Sequence, residues 1–214
     1  MSEHNFTVAV GVCFGRGGSF FLHSLLDGHP EVLSLPPYMM NLSMQLFDTL
    51  ELDNDAFVTA FLKDYQNLFV DSYDKCTNSQ YINTHNNMSR TQTELLNLNK
   101  GIFKDRMLGE LGNKHHCFKS RFVGVHKVIY DMLGIDTSNK SVIFYQLHSP
   151  LYSVLRKMHD EFGQIKICHS VRDPIAAFLR NVMAHCTDLK SHRKYNPATA
   201  TLIMESCFRQ FLYS

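Results

Sequence analysis

From Phe6 to Tyr38 the chain reads FTVAVGVCFGRGGSFFLHSLLDGHPEVLSLPPY. Val8-Ala9-Val10-Gly11-Val12 is a short apolar run that fits a buried strand. It breaks at Gly15-Arg16-Gly17-Gly18-Ser19, and apolar residues return at helical spacing in Phe21, Leu22, Leu25 and Leu26. A strand, a Gly-rich turn carrying a cation, and a helix together form an anion cradle. Glycines let backbone N–H groups approach an oxyanion, and the helix N-terminus adds about half a positive charge. The planar fork of Arg16 suits phosphate or sulfate.

Two familiar phosphate loops do not fit. A Walker A loop closes on Gly-Lys-Ser/Thr, so that the Lys and hydroxyl reach phosphates and magnesium. No Lys follows the glycines here, and Phe20 stands where the third Gly of a dinucleotide fingerprint belongs. A plain strand-to-helix turn is the competing reading of these residues taken alone.

The segment resembles the 5′-phosphosulfate loop of sulfotransferases that use 3′-phosphoadenosine-5′-phosphosulfate. In that resemblance Gly15, Arg16, Gly17, Gly18, Ser19 and Phe20 form the donor-binding turn. Arg16 takes the basic position, Gly18 the motif glycine and Ser19 the first hydroxyl. Leu25-Leu26-Asp27-Gly28-His29-Pro30 matches the end of the family's helix, and Leu35-Pro36 is similar to bacterial members. Gly17 replaces a usual Ser and Phe20 a usual Thr, so one phosphate-binding hydroxyl is missing.

A second stretch, VIFYQLHSPLYSVLRKMHDEFGQIKICHSVRDPIAAFLR, strengthens the resemblance. Val142 to His148 and Ile165 to Val171 read as strands, with helical spacing from Pro150 to Phe162 between them. Pro174 suits the first turn of a helix running to about Cys186. His148-Ser149-Pro150 resembles the family's His-x-Pro, whose His is the catalytic base in the cytosolic branch. Arg172-Asp173-Pro174, 24 residues beyond His148, resembles the motif whose Arg binds the 3′-phosphate. Gln146 stands where that branch has Lys. Arg180 stands where a Ser usually contacts the 3′-phosphate, and its fork offers bidentate contacts instead. The family's closing Gly-rich basic segment has no match, since no Trp occurs and no Gly follows Gly163. The expectation drawn is a truncated form or an incomplete donor site.

The resemblance implies a sulfotransferase with a P-loop-like fold, His148 and Arg16 as catalytic residues, and no metal. It implies a small-molecule or glycan acceptor. Two alternatives stay open: a non-catalytic, truncated anion-binding protein, and a nucleotide kinase-like phosphoryl transferase.

The rest of the chain bounds this reading. Its 214 residues suit one α/β domain spanning 1–214, with a helical and loop insertion over about 40–120. Asp55 to Phe69 and Glu94 to Leu111 have helical spacing, Thr77 to Thr93 is a polar loop, and Phe122 to Val125 reads as a short strand. The chain after Thr199 reads as a helix. This alternation predicts an α/β, three-layer fold: a mostly parallel sheet with helices on both faces. A net charge of +1 argues against nucleic acid as a partner. Lys119, Arg121 and Lys127 offer local basicity beside the site arginines. Six scattered cysteines without a CxxC pair, no leader and no membrane-length apolar run point to free thiols in a soluble cytoplasmic protein. His115-His116-Cys117 lacks metal-ligand spacing. His29, before Pro30, reads as a turn residue.

Overall fold

A computed structural model describes residues 6–13, 18–36, 39, 42–69, 87–88, 94–96, 98–112, 117–148, 152–170, 173 and 205. Four strands form one all-parallel sheet: β1 (Thr7–Cys13), β2 (Val32–Ser34), β5 (Val142–His148) and β6 (Ile165–His169), in the order β2-β5-β1-β6. A separate antiparallel pair joins β3 (Asn87–Met88) to β4 (Glu94–Leu95). Among the described residues six helices accompany them: α1 (Ser19–Leu26), α2 (Leu42–Asp48), α3 (Asn54–Asp64), α4 (Lys100–Leu111), α5 (Phe118–Met132) and α6 (Tyr152–Phe162). The expected α/β class with a parallel sheet is what the chain adopts.

The connections explain the layers. From β1 the chain runs through α1 to β2 at one edge. From β5 it runs through α6 to β6 at the other edge. The two crossovers step in opposite directions, so right-handed connections put α1 and α6 on opposite faces. Side chains agree. His23 of α1 meets Phe144 at a 6.2 Å ring separation. The next residue along β5, Tyr145, meets Phe122 of α5 on the other face at 5.4 Å.

The main core lies on the α5 face. Val8, Val10 and Val12 of β1 and Ile143, Tyr145 and Leu147 of β5 are paired in register and buried there. Across from them an aromatic layer closes up. Phe118 stacks on Phe47 at 4.1 Å, and Phe122 meets His126 at 4.6 Å and Phe162 at 5.6 Å. On the opposite face Gly11 is required by a close approach. A Cβ there would lie 2.6 Å from the Phe144 ring, so any larger residue must push that ring aside.

Two sequence expectations are corrected. Phe122 to Val125 is not a strand but the middle of α5. The run is rich in strand-forming types, yet Phe118, Phe122, Val125 and Ile129 recur at helical spacing and all face the core. The helical reading of Glu94 to Leu111 starts too early. Glu94–Leu95 pairs as a strand, and the helix begins at Lys100 after Asn99, whose side chain accepts from the Ile102 amide at 3.0 Å. The segment from Asp55 divides into α3 and a short 3₁₀ turn, Gln66–Leu68. The expected helix over 174–186, the one after Thr199 apart from helical Glu205, and the polar loop apart from β3 lie outside the described residues.

Polar groups in this body have structural uses. The guanidinium of fully buried Arg121 donates to the carbonyls of Thr49 and Leu52 and lies over the Phe57 ring at 4.5 Å. The Tyr130 hydroxyl accepts from the Ser34 amide at 2.9 Å and donates to the Ser34 carbonyl at 3.0 Å. One side chain thereby satisfies both main-chain groups on the outer side of edge strand β2. Lys140 Nζ donates to the carbonyls of His29 and Val32, both at 3.0 Å, and gathers the turn that enters β2.

Candidate functional site

The sheet topology selects one crevice. β1 and β5 are neighbours, and the chain leaves them toward opposite faces, through α1 and α6. A sheet with such a switch of direction opens a ligand crevice at the carboxyl ends of the two strands. The last residue pair there is Cys13 and His148. On the other side of β1, Val12 pairs with His169, the last residue of β6. The ends of β5, β1 and β6 therefore lie side by side at the sheet's carboxyl edge. The ends of β5 and β6 are two strand spacings apart, roughly 10 Å.

Helix α1 starts at Ser19, after β1 has ended at Cys13. Gly18 is its N-cap, with φ 93° and ψ 19°, a left-handed conformation that glycine adopts without a Cβ penalty. No side chain caps the helix at Gly18. The first-turn amides, from Ser19 onward, have no intrahelical acceptors by construction and carry the positive end of the dipole.

Helix α1 is pinned at its far end by polar ties to β2. Buried His23 donates from Nε2 to the Leu35 carbonyl at 2.7 Å, which fixes the tautomer with its lone pair on Nδ1. Burial holds the His23 pKa below the usual imidazole value, opposed by that hydrogen bond and by the nearby Asp27. Asp27 accepts from the Ser34 hydroxyl at 3.1 Å. These ties position the helix and hence its N-terminus. His29 is the turn residue the sequence suggested, its Nδ1 accepting from the Glu31 amide at 3.2 Å.

The other candidates divide clearly. Gly18, Ser19 and the partly buried Phe20 stand at the mouth of α1. His148 ends β5, and Gln146, two residues earlier, is buried and paired with Gly11. Gly15, Arg16, Gly17, Arg172 and Arg180 lie outside the described residues, as do His115 and His116. Asp173 is exposed. Arg121 and Lys127 do not serve an anion pocket. Arg121 is committed to carbonyls, as above, and Lys127 pairs with Glu110 at 3.1 Å. Cys117 caps α5, its sulfur accepting from the Ser120 amide at 3.4 Å, and it is a free thiol, as is Cys168.

One residue at the edge had no sequence signal. Ser170 follows β6, and its hydroxyl oxygen is shut off from solvent without a hydrogen-bond partner. A single serine carries no pattern. Only its place two residues before Arg172, at a strand end, marked it.

Among the described residues, no cluster of three or more His, Cys, Asp or Glu could hold a metal ion. Among them, too, no helix is long and apolar enough to cross a membrane. No protein-family model, curated protein or solved structure matches the chain.

Proposed function

We propose that the crevice binds 3′-phosphoadenosine-5′-phosphosulfate and that the protein transfers its sulfuryl group to a hydroxyl or amine acceptor. The observation that carries this reading is the adjacency of Cys13 and His148 at the switch point. It brings the end of the His-x-Pro strand beside the strand that feeds the Gly-rich turn.

In the proposed step the acceptor oxygen or nitrogen attacks sulfur and forms the new bond to it. The bond from sulfur to the 5′-phosphate oxygen breaks, and its electron pair stays on that oxygen. His148 takes the acceptor's proton as a general base. Arg16 and the amides of Gly15 to Phe20 stabilise the charge growing on the leaving phosphate, the kind of fixed electrostatics that dominates many such reactions. Arg172 and Arg180 hold the 3′-phosphate and so place the donor. No step calls for a metal. The free thiols Cys117 and Cys168 favour a reducing compartment, and we place the protein in the cytoplasm.

The test is release of 3′-phosphoadenosine-5′-phosphate across a panel of phenols, alcohols, amines and sugars. His148→Asn is expected to lower turnover by about 10²–10⁴-fold while donor binding persists. Near-wild-type turnover would remove His148 as the base. Tight donor binding with no turnover by the wild-type chain would favour the non-catalytic alternative.

A further inference from the structure

At the C-terminal end of α1, two buried polar atoms one helical turn apart lack a partner: Nδ1 of His23 and Oδ2 of Asp27. His23 is 1% exposed and Asp27 6%. The turn between them is intact, because the Asp27 amide donates to the His23 carbonyl at 2.8 Å. Side chains at this spacing are neighbours, with Cβ atoms about 5–6 Å apart, and each leans toward the helix N-terminus. Asp27 therefore leans toward His23. The other atom of each group is tied to the exit from β2. Nε2 of His23 meets the Leu35 carbonyl at 2.7 Å, and Oδ1 of Asp27 accepts from the Ser34 hydroxyl at 3.1 Å. A carbonyl can only accept, so Nε2 carries the proton and Nδ1 keeps a lone pair. Nδ1 and the carboxylate oxygen are then two buried acceptors without a donor, where folded proteins nearly always supply one.

The groups around the pair do not supply it. From β5 comes only the Phe144 ring, 6.2 Å from the imidazole. Tyr130 of α5 and Lys140, just before β5, both feel the charge of Asp27. Yet the Tyr130 hydroxyl donates to the Ser34 carbonyl, and Lys140 Nζ donates to the carbonyls of His29 and Val32. A proton added at Nδ1 would turn one of the two acceptors into a donor.

We propose that His23 and Asp27 form a proton-operated latch: a proton taken up at Nδ1 of His23 is donated to Oδ2 of Asp27. The closed latch is a continuous chain of hydrogen bonds, from the Leu35 carbonyl through His23 and Asp27 to the Ser34 hydroxyl. It clamps the exit from β2 onto α1 as the pH falls. Burial resists the new charge, while the Leu35 bond and the Asp27 carboxylate favour it, so the latch closes below the ordinary imidazole range. The latch does not depend on the sulfuryl-transfer reading.

The experiment is an NMR titration of the full-length protein, following imidazole nitrogens from about pH 8 to about pH 4. The His23 signals are those lost in His23→Gln. At the upper pH His23 should be the Nε2–H tautomer. On acidification Nδ1 should take up the proton, and the Ser34 and Leu35 amides should shift with the same midpoint. Asp27→Asn should lower that midpoint by about one pH unit or more, the scale of one hydrogen bond to a charged group. Ser34→Ala should raise it, because Asp27 loses its other donor, and this variant decides the matter if Asp27→Asn does not fold. A midpoint unmoved in either folded variant would overturn the latch. So would a wild-type His23 that stays neutral to about pH 4, or a chain that unfolds before His23 titrates.

Discussion

On the α5 side of the sheet, the terminal nitrogens of Arg121 reach two carbonyls. The hydroxyls of Tyr130 and Tyr145 close on main-chain and hydroxyl groups of Ser34 and Ser43. At the carboxyl edge, by contrast, α1 begins at an uncapped glycine and Ser170 keeps a buried hydroxyl with no acceptor. One is filled by aromatic rings and ties most of its polar groups to the main chain, although Arg121 Nε and His126 Nε2 stay unpaired. The other starts a helix at a glycine with no side-chain cap. Substitutions in the first should cost stability, and substitutions in the second should cost ligand binding with little or no loss of stability.

The largest effect is expected at Phe122, which is fully buried among Phe118, His126, Tyr145 and Phe162. Phe122→Ala should destabilise by about 3–5 kcal/mol in urea denaturation. A loss below ~1.5 kcal/mol would show that the layer collapses into the gap and is not tightly packed.

A pH dependence comes next. His126 is fully buried, with Nδ1 donating to the Phe122 carbonyl at 2.7 Å, and burial lowers its pKa to about 4. The unfolded chain takes up a proton near pH ~6.5 that the folded chain refuses until about pH 4. The unfolded state therefore binds more protons in that window, so stability is full above ~6.5 and falls as pH drops toward about 4. The slope approaches about 1.4 kcal/mol per pH unit, and His23, also lowered by burial, adds to it in the same direction. Urea midpoints from pH 8 to pH 4 should show the decline, and His126→Asn should flatten part of it. An unchanged slope in that variant would mean that His126 is protonated in the folded state.

Smaller changes sharpen the same contrast. Arg121→Lys keeps the charge but cannot fork to both Thr49 and Leu52. Leaving one buried carbonyl unpaired should cost about 1–3 kcal/mol, read from the urea midpoint. Tyr130→Phe removes the hydroxyl that serves both main-chain groups of Ser34 and should cost ~1 kcal/mol or slightly more. Hydrogen exchange at the Ser34 amide should rise with it. No change in that amide would mean that water replaces the hydroxyl.

Much of the frame was legible because it rests on local pattern. β1, β5 and the helix before β6 follow from apolar runs and 3.6-residue spacing, and β5 ends at His148 as read. The failures have physical causes. In Phe122 to Val125 the residue types suggested a strand, while the longer spacing from Phe118 to Ile129 decided for a helix. β2 is only three residues long, Val32–Ser34, and exists by pairing with β5 and by the Tyr130 hydroxyl, neither visible locally. At the site, strand ends and the Gly18 turn were readable. The unpaired hydroxyl of Ser170 was not, because its burial comes from packing after β6 that a single serine does not signal. Lys119, Arg121 and Lys127 looked alike in sequence as cations, yet burial made Arg121 a structural staple.

The most direct measurement is a calorimetric titration of the full-length protein with 3′-phosphoadenosine-5′-phosphate and with adenosine 5′-phosphate, each with and without magnesium. The expected result is binding of both, at least about 10-fold tighter for the ligand with the 3′-phosphate, since each charge-assisted bond it adds contributes ~1.5–3 kcal/mol. Magnesium should make no difference. Equal affinity for the two ligands, no binding of either, or binding that needs magnesium would contradict the proposed donor site at the carboxyl ends of β1, β5 and β6.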